Sequence, residues 1–156
     1  MEQERLFPDY IFETSWEVCN KVGGIYTVLS TRARTLQDHL HDNLIFIGPD
    51  CWQDKSCPYF EEEAVFPEWE AAARHKGLRV RVGRWTIPSH PVAILVDWRP
   101  YYEEKNTFYG ALWQQYGVDS LHAYGDYDDS ALFGLAAAKV VENFYHYYHL
   151  GDRRVV

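Results

Sequence analysis

Apolar positions along this chain come either in short unbroken runs or at helical spacing, and the two patterns take turns from end to end. Tyr10-Ile11-Phe12-Glu13-Thr14-Ser15-Trp16 reads as a first strand, after which Ile25, Val28, Leu29, Ala33 and Leu36 recur with the period of a helix. Asn43-Leu44-Ile45-Phe46-Ile47-Gly48-Pro49 is a continuous apolar run stopped by Gly-Pro, as expected of a strand covered on both faces. Residues 50–66 carry no period and read as a loop excursion. Pro67 then opens a helix: Glu68 and Glu70 lie in its first turn and Arg74-His75-Lys76 precede Gly77, which complements the helix dipole at both ends.

Leu78 to Ile87 alternates apolar and basic residues, so one face of this strand is expected to meet solvent or a ligand. Pro88 to Pro91 make a turn. Val92-Ala93-Ile94-Leu95-Val96-Asp97 is again apolar up to Asp97, which sits where an open α/β sheet carries its ligand crevice and where a carboxylate also caps turns. Residues 100–127 mix short helical stretches with loops. The run from Gly125 to Ser130 supplies an N-cap, and Leu132, Leu135, Ala136, Val140, Phe144 and Tyr148 form the stripe of a long helix closed by Gly151. Arg153-Arg154-Val155-Val156 looks like the opening of one more strand. This order predicts an α/β fold with a Rossmann-like, mostly parallel sheet, and the interrupted last strand predicts that residues 1–156 are an incomplete N-terminal domain.

Length and composition agree with a single core: the chain has 156 residues, 47% hydrophobic and 24% charged. Met1-Glu2-Gln3-Glu4-Arg5 leads into no apolar signal core, and no 18-residue apolar run is present to span a membrane, so a cytoplasmic location is expected. Cys19, Cys51 and Cys57 lack disulfide or zinc-knuckle spacing and read as free thiols in a reducing compartment. A net charge of −8 argues against a nucleic-acid partner. Aromatic residues make up 17% of the chain and crowd the segment from Trp98 to Tyr127, where most serve packing although flat rings also stack on sugars.

The chemistry concentrates at Lys21-Val22-Gly23-Gly24, between the first strand and the first helix. A helix start leaves amide N–H groups unpaired at the positive end of the macrodipole, glycines let an anion approach the backbone, and Lys21 adds a point charge. The pattern is neither a Walker loop nor a Gly-x-Gly-x-x-Gly turn, so on local chemistry a phosphate site and a plain structural turn both stand. Other groupings are weaker. Glu13 and Glu17 read as solvated or loop-capping carboxylates, Asp38-His39-Leu40-His41-Asp42 lacks a further metal ligand, and His146 and His149 have no partner motif. Arg79, Arg81 and Arg84 could face a phosphate or a glycan, or simply line a solvated strand face.

Phe12-Glu13, Trp16-Glu17 and Asn20-Lys21-Val22-Gly23-Gly24-Ile25-Tyr26-Thr27-Val28, followed by Gly83-Arg84-Trp85 and by Asp128 to Gly134 before a long helix, resemble the opening of the eukaryotic-type glycogen synthases. The resemblance implies the N-terminal domain of a retaining GT-B glucosyltransferase, which moves glucose from UDP-glucose to the non-reducing end of glycogen or another α-1,4-glucan. It implies that Lys21 contacts the donor diphosphate while Gly23 and Gly24 allow close backbone approach. No cofactor or metal is expected. The C-terminal domain and the remaining catalytic groups would lie beyond Val156, so no catalytic residue is expected here and the fragment should be inactive alone. A homo-oligomer is compatible with this reading. Two other readings stay open: a non-catalytic glycan-binding or assembly module, and an ADP-glucose-dependent starch-type synthase, whose motif more often continues Lys-x-Gly-Gly-Leu where Ile25-Tyr26-Thr27 stands here. Residues 50–67 match no family motif.

Overall fold

A computed structural model describes residues 7–53 and 55–156. Five strands form one open sheet in the order β1-β2-β5-β4-β3: β1 (Ile11–Thr14), β2 (Leu44–Pro49), β3 (Phe60–Glu62), β4 (Val80–Trp85) and β5 (Val92–Val96). Among the described residues four α-helices accompany it: α1 (Gly24–Leu40), α2 (Pro67–His75), α3 (Lys105–Tyr116) and α4 (Tyr127–Tyr147). Among the described residues no helix is long and apolar enough to cross a membrane.

The fold is α/β, but the sheet is mixed where the order of elements predicted a mostly parallel one. β1 and β5 flank β2 in parallel, with Phe12 opposite Ile45 and Ile47 opposite Ile94. β4 runs antiparallel to β5, and β3 antiparallel to β4. The reason is the connection. Parallel neighbours need a crossover of a dozen or more residues, and only residues 86–91 join β4 to β5. Ser89 and His90 both turn there with positive φ.

β2 and β5 are buried along their whole length, so each contributes side chains to both faces. Ile45, Ile47, Ile94 and Val96 pack with α2 and α4 through Trp69, Ala73, Leu132, Ala136, Val140 and Phe144. Leu44, Phe46, Ala93 and Leu95 face Leu29 and Ala33 of α1 together with Val18, Cys19, Phe60 and Trp85. Ile25 and Val28 depart from the expected stripe: both are more than half exposed. The inward face of α1 runs instead through Leu29 and Ala33, with Tyr26, Leu36 and Leu40 packed at its margin. These positions sit at spacings of three and four, as one helix face requires.

The run from Gly125 to Ser130 supplies the N-cap of α4 through Asp126, with Ser130 already inside the helix. The other end differs from expectation: α4 ends at Tyr147 with His149, rather than Gly151, in the left-handed conformation. The last residues pair as the sequence suggests. Val155 forms a parallel bridge to Tyr10, and Val156 exchanges hydrogen bonds with Tyr10 and Phe12 on the outer edge of β1.

Candidate functional site

β1, β2 and β5 are parallel, so the chain leaves all three at one sheet edge. After Thr14 it does not enter α1 directly but is pulled inward first. The Ser15 amide donates to the Ile47 carbonyl at 3.1 Å, and Trp16 meets Trp98 and Phe133 edge to face at 4.9 and 5.5 Å. Val18 and Cys19 are fully buried on the α1 side of the sheet, Cys19 with a φ of 55°. Burial, with the neighbouring Cys57, pushes the Cys19 thiol well above its ordinary value, so it serves packing as a neutral group.

This anchor throws Lys21 to Gly24 outward, and all four residues are exposed. Lys21 Nζ lies 5.7 Å from the Tyr26 ring centroid, and among the described residues it makes no ion pair. The glycines serve space rather than unusual backbone conformation. Gly23, the N-cap, is extended with φ −154°, and Gly24 is the first helical residue. A Cβ on Gly23 would stand 3.2 Å from Glu17 Oε1, whereas one on Gly24 would meet nothing within 4 Å.

Glu17 is the group whose part sequence reasoning described only loosely. Its Oε2 accepts the Gly23 N–H at 3.0 Å and the Tyr26 N–H at 2.7 Å, so a carboxylate from the preceding loop caps α1. The loop-capping reading holds. Glu13 is engaged elsewhere, paired with Arg32 at 2.6 Å, and the two glutamates do not act as a pair. Gly24 and Ile25, at the first two helical positions, carry N–H groups with no carbonyl to reach inside the helix. A lysine beside two such donors can hold an anion.

The basic strand is mostly committed to carboxylates. Arg81 forks onto buried Asp50 at 2.8 and 3.0 Å, and Arg84 bridges Asp42 and Glu63, each at 2.6 Å. Arg79 is left: its side chain is 69% exposed and stands 3.7 Å from Asp97. Asp97 itself accepts the Arg99 N–H at 3.1 Å, a turn-capping bond. Asp50, Arg74, Arg79, Arg81 and Asp97 line an open cavity of about 740 Å³ at the same sheet edge, and Lys21, Gly23 and Gly24 do not line it. Sequence reasoning missed Asp50, whose only signal is its place just past β2. Among the described residues no three His, Cys, Asp or Glu side chains converge as metal ligands would. Asp42 of the acidic-histidine run pairs with Arg84 instead.

The class of protein is thus an open α/β sheet domain that presents a lysine and a glycine-opened helix start at the carboxyl edge of its parallel strands. A family model described as "Glycogen synthase" matches residues 13–156. The liver glycogen (starch) synthases of Mus musculus and Homo sapiens are each 33% identical over 141 residues, which is 82% of this chain and 19% of the relative. The glycogen (starch) synthase of Caenorhabditis elegans is 30% identical over 138 residues, 86% of this chain and 20% of the relative. The chain belongs to the glycogen synthase family, a family of glycosyltransferases, and spans about a fifth of the length of these relatives.

Proposed function

We propose that this chain is part of the N-terminal, donor-facing domain of a glycogen synthase. The whole enzyme would transfer glucose, with retention, from UDP-glucose to the non-reducing end of an α-1,4-glucan in the cytoplasm. Lys21 and the Gly23-Gly24 turn receive the donor diphosphate. The observation that carries this is Lys21, exposed and without an ion pair among the described residues, beside the Gly24 and Ile25 amides at the start of α1. A leaving diphosphate gains negative charge, and a cation and helix dipole already in place stabilise it without reorganisation. The turn is exposed and would form one wall of a site. The second domain and the other catalytic groups would come from chain beyond Val156, so this chain alone should transfer no glucose; measurable turnover with UDP-glucose and glycogen would overturn that.

UDP titration by ¹⁵N NMR tests the assignment. Wild type should bind UDP at Lys21 to Ile25, Lys21→Ala should weaken binding about tenfold through loss of one charge-assisted contact, and Lys21→Arg should keep most of it. Equal affinity in wild type and Lys21→Ala would reject the assignment. Running ADP beside UDP separates the two donor readings. The exposed rings of Trp113, Tyr116 and Tyr124 favour a second reading, a glycan-binding module. Saturable maltooligosaccharide binding with no nucleotide binding would support it.

A further inference from the structure

The four amides at the start of α1 are shared out unevenly. The N-cap is a glycine with no side chain of its own to accept them, and Glu17 reaches back from the loop to bridge the Gly23 and Tyr26 N–H groups with one oxygen. The two glycines face opposite occupants. Gly23 lacks a side chain where the Glu17 carboxylate lies, and Gly24 lacks one where the space is open.

We infer that Glu17 is a positioning residue for the donor diphosphate. It holds the outer two amides of the helix start, at Gly23 and Tyr26, so that the inner two, at Gly24 and Ile25, face outward with Lys21 as the phosphate-binding set. This rests on the reading of Lys21 to Gly24 as the diphosphate contact. It also makes a prediction that runs against simple electrostatics. A carboxylate next to a phosphate site repels the ligand, so if charge alone mattered, every substitution that neutralises Glu17 would tighten binding. Positioning predicts otherwise, because the effect depends on an acceptor oxygen at the right reach.

Three variants of the 156-residue chain separate charge from reach. Glu17→Gln keeps an acceptor oxygen and loses the charge, and should bind UDP as tightly as wild type or a few-fold tighter. Glu17→Ala loses both, and should bind about tenfold more weakly, the scale of a lost helix cap. Glu17→Asp keeps the charge but falls a methylene short, and should resemble Glu17→Ala. Amide exchange at Gly23 and Tyr26, read without nucleotide, should be slow in wild type and Glu17→Gln and at least about tenfold faster in the other two, by the same cap argument. If Glu17→Ala binds UDP as well as or better than wild type, Glu17 is a competitor for the site and the proposal fails. If wild type binds no UDP, the diphosphate reading fails, while the exchange rates still decide whether Glu17 holds the turn; unchanged exchange in Glu17→Ala would refute that hold.

Discussion

Gly48 in β2 lies directly beneath Val18 of the loop that follows β1: a Cβ at position 48 would overlap the Val18 carbonyl oxygen and come within 2.9 Å of the Val18 Cβ. That close approach lets Val18 sink to complete burial and sets the height from which the chain rises to Lys21. Gly48→Ala should therefore destabilise the protein by about 3 kcal/mol, the upper range for overpacking, since the obstacle is backbone. Trimming the neighbour with Val18→Ala should not restore stability, because the carbonyl stays. Gly110→Ala, in α3 at a position with open space around it, should stabilise by about 0.5–1 kcal/mol and serves as control. Urea midpoints of the three variants check this.

The outward turn of Ile25 and Val28 carries its own expectation. Leu29 is buried against the sheet, so Leu29→Ala should cost about 2–4 kcal/mol. Ile25→Ser and Val28→Thr should each stay within about 0.5 kcal/mol of wild type. A larger loss for the Ile25 variant in chemical denaturation would restore the stripe first read from the sequence.

That stripe shows where sequence reasoning reaches its limit. Apolar residues at 25, 26, 28, 29, 33, 36 and 40 contain two overlapping faces, and only the sheet decides which is covered. β2 and β5 were legible because burial on both faces leaves unbroken apolar runs. β3 was not: it is a three-residue edge strand with Phe60 buried and Glu61 and Glu62 exposed, too short for a period to register. The place of Lys21, Gly23 and Gly24 at a helix start was legible because helix ends follow local rules. The partners of Arg81 and Arg84 were not, since Asp50 and Asp42 arrive from 31 and 42 positions away. The Glu17 cap lies between these cases, spanning six and nine positions across a loop that is buried at Val18 and Cys19 and exposed from Lys21 onward, a path no local rule dictates.

Acid should expose a weakness at the start of α4. Asp128 accepts the hydroxyl of buried Tyr109 at 2.6 Å and the Lys105 ammonium at 3.1 Å. These bonds, the tyrosine's foremost, hold its carboxyl below the ordinary carboxylate value. A depressed folded-state pKa means that the unfolded chain takes up the proton first. The stabilisation is thus present above about pH 4, the usual aspartate value, and is lost as pH falls through the lower folded value. Burial and the Asp128 bond push the Tyr109 hydroxyl the other way, well above its ordinary value, so its share is present below about pH 10 and fades as pH rises further. Asp128→Asn should cost about 1–2 kcal/mol at pH 7, the scale of a hydrogen bond to a charged group, and should flatten the fall in stability as pH drops below about 4. Tyr109→Phe should move the Asp128 carboxyl back toward its ordinary value in an NMR titration. Urea midpoints of Asp128→Asn that fall with acid as steeply as those of wild type would place the acid-sensitive group elsewhere.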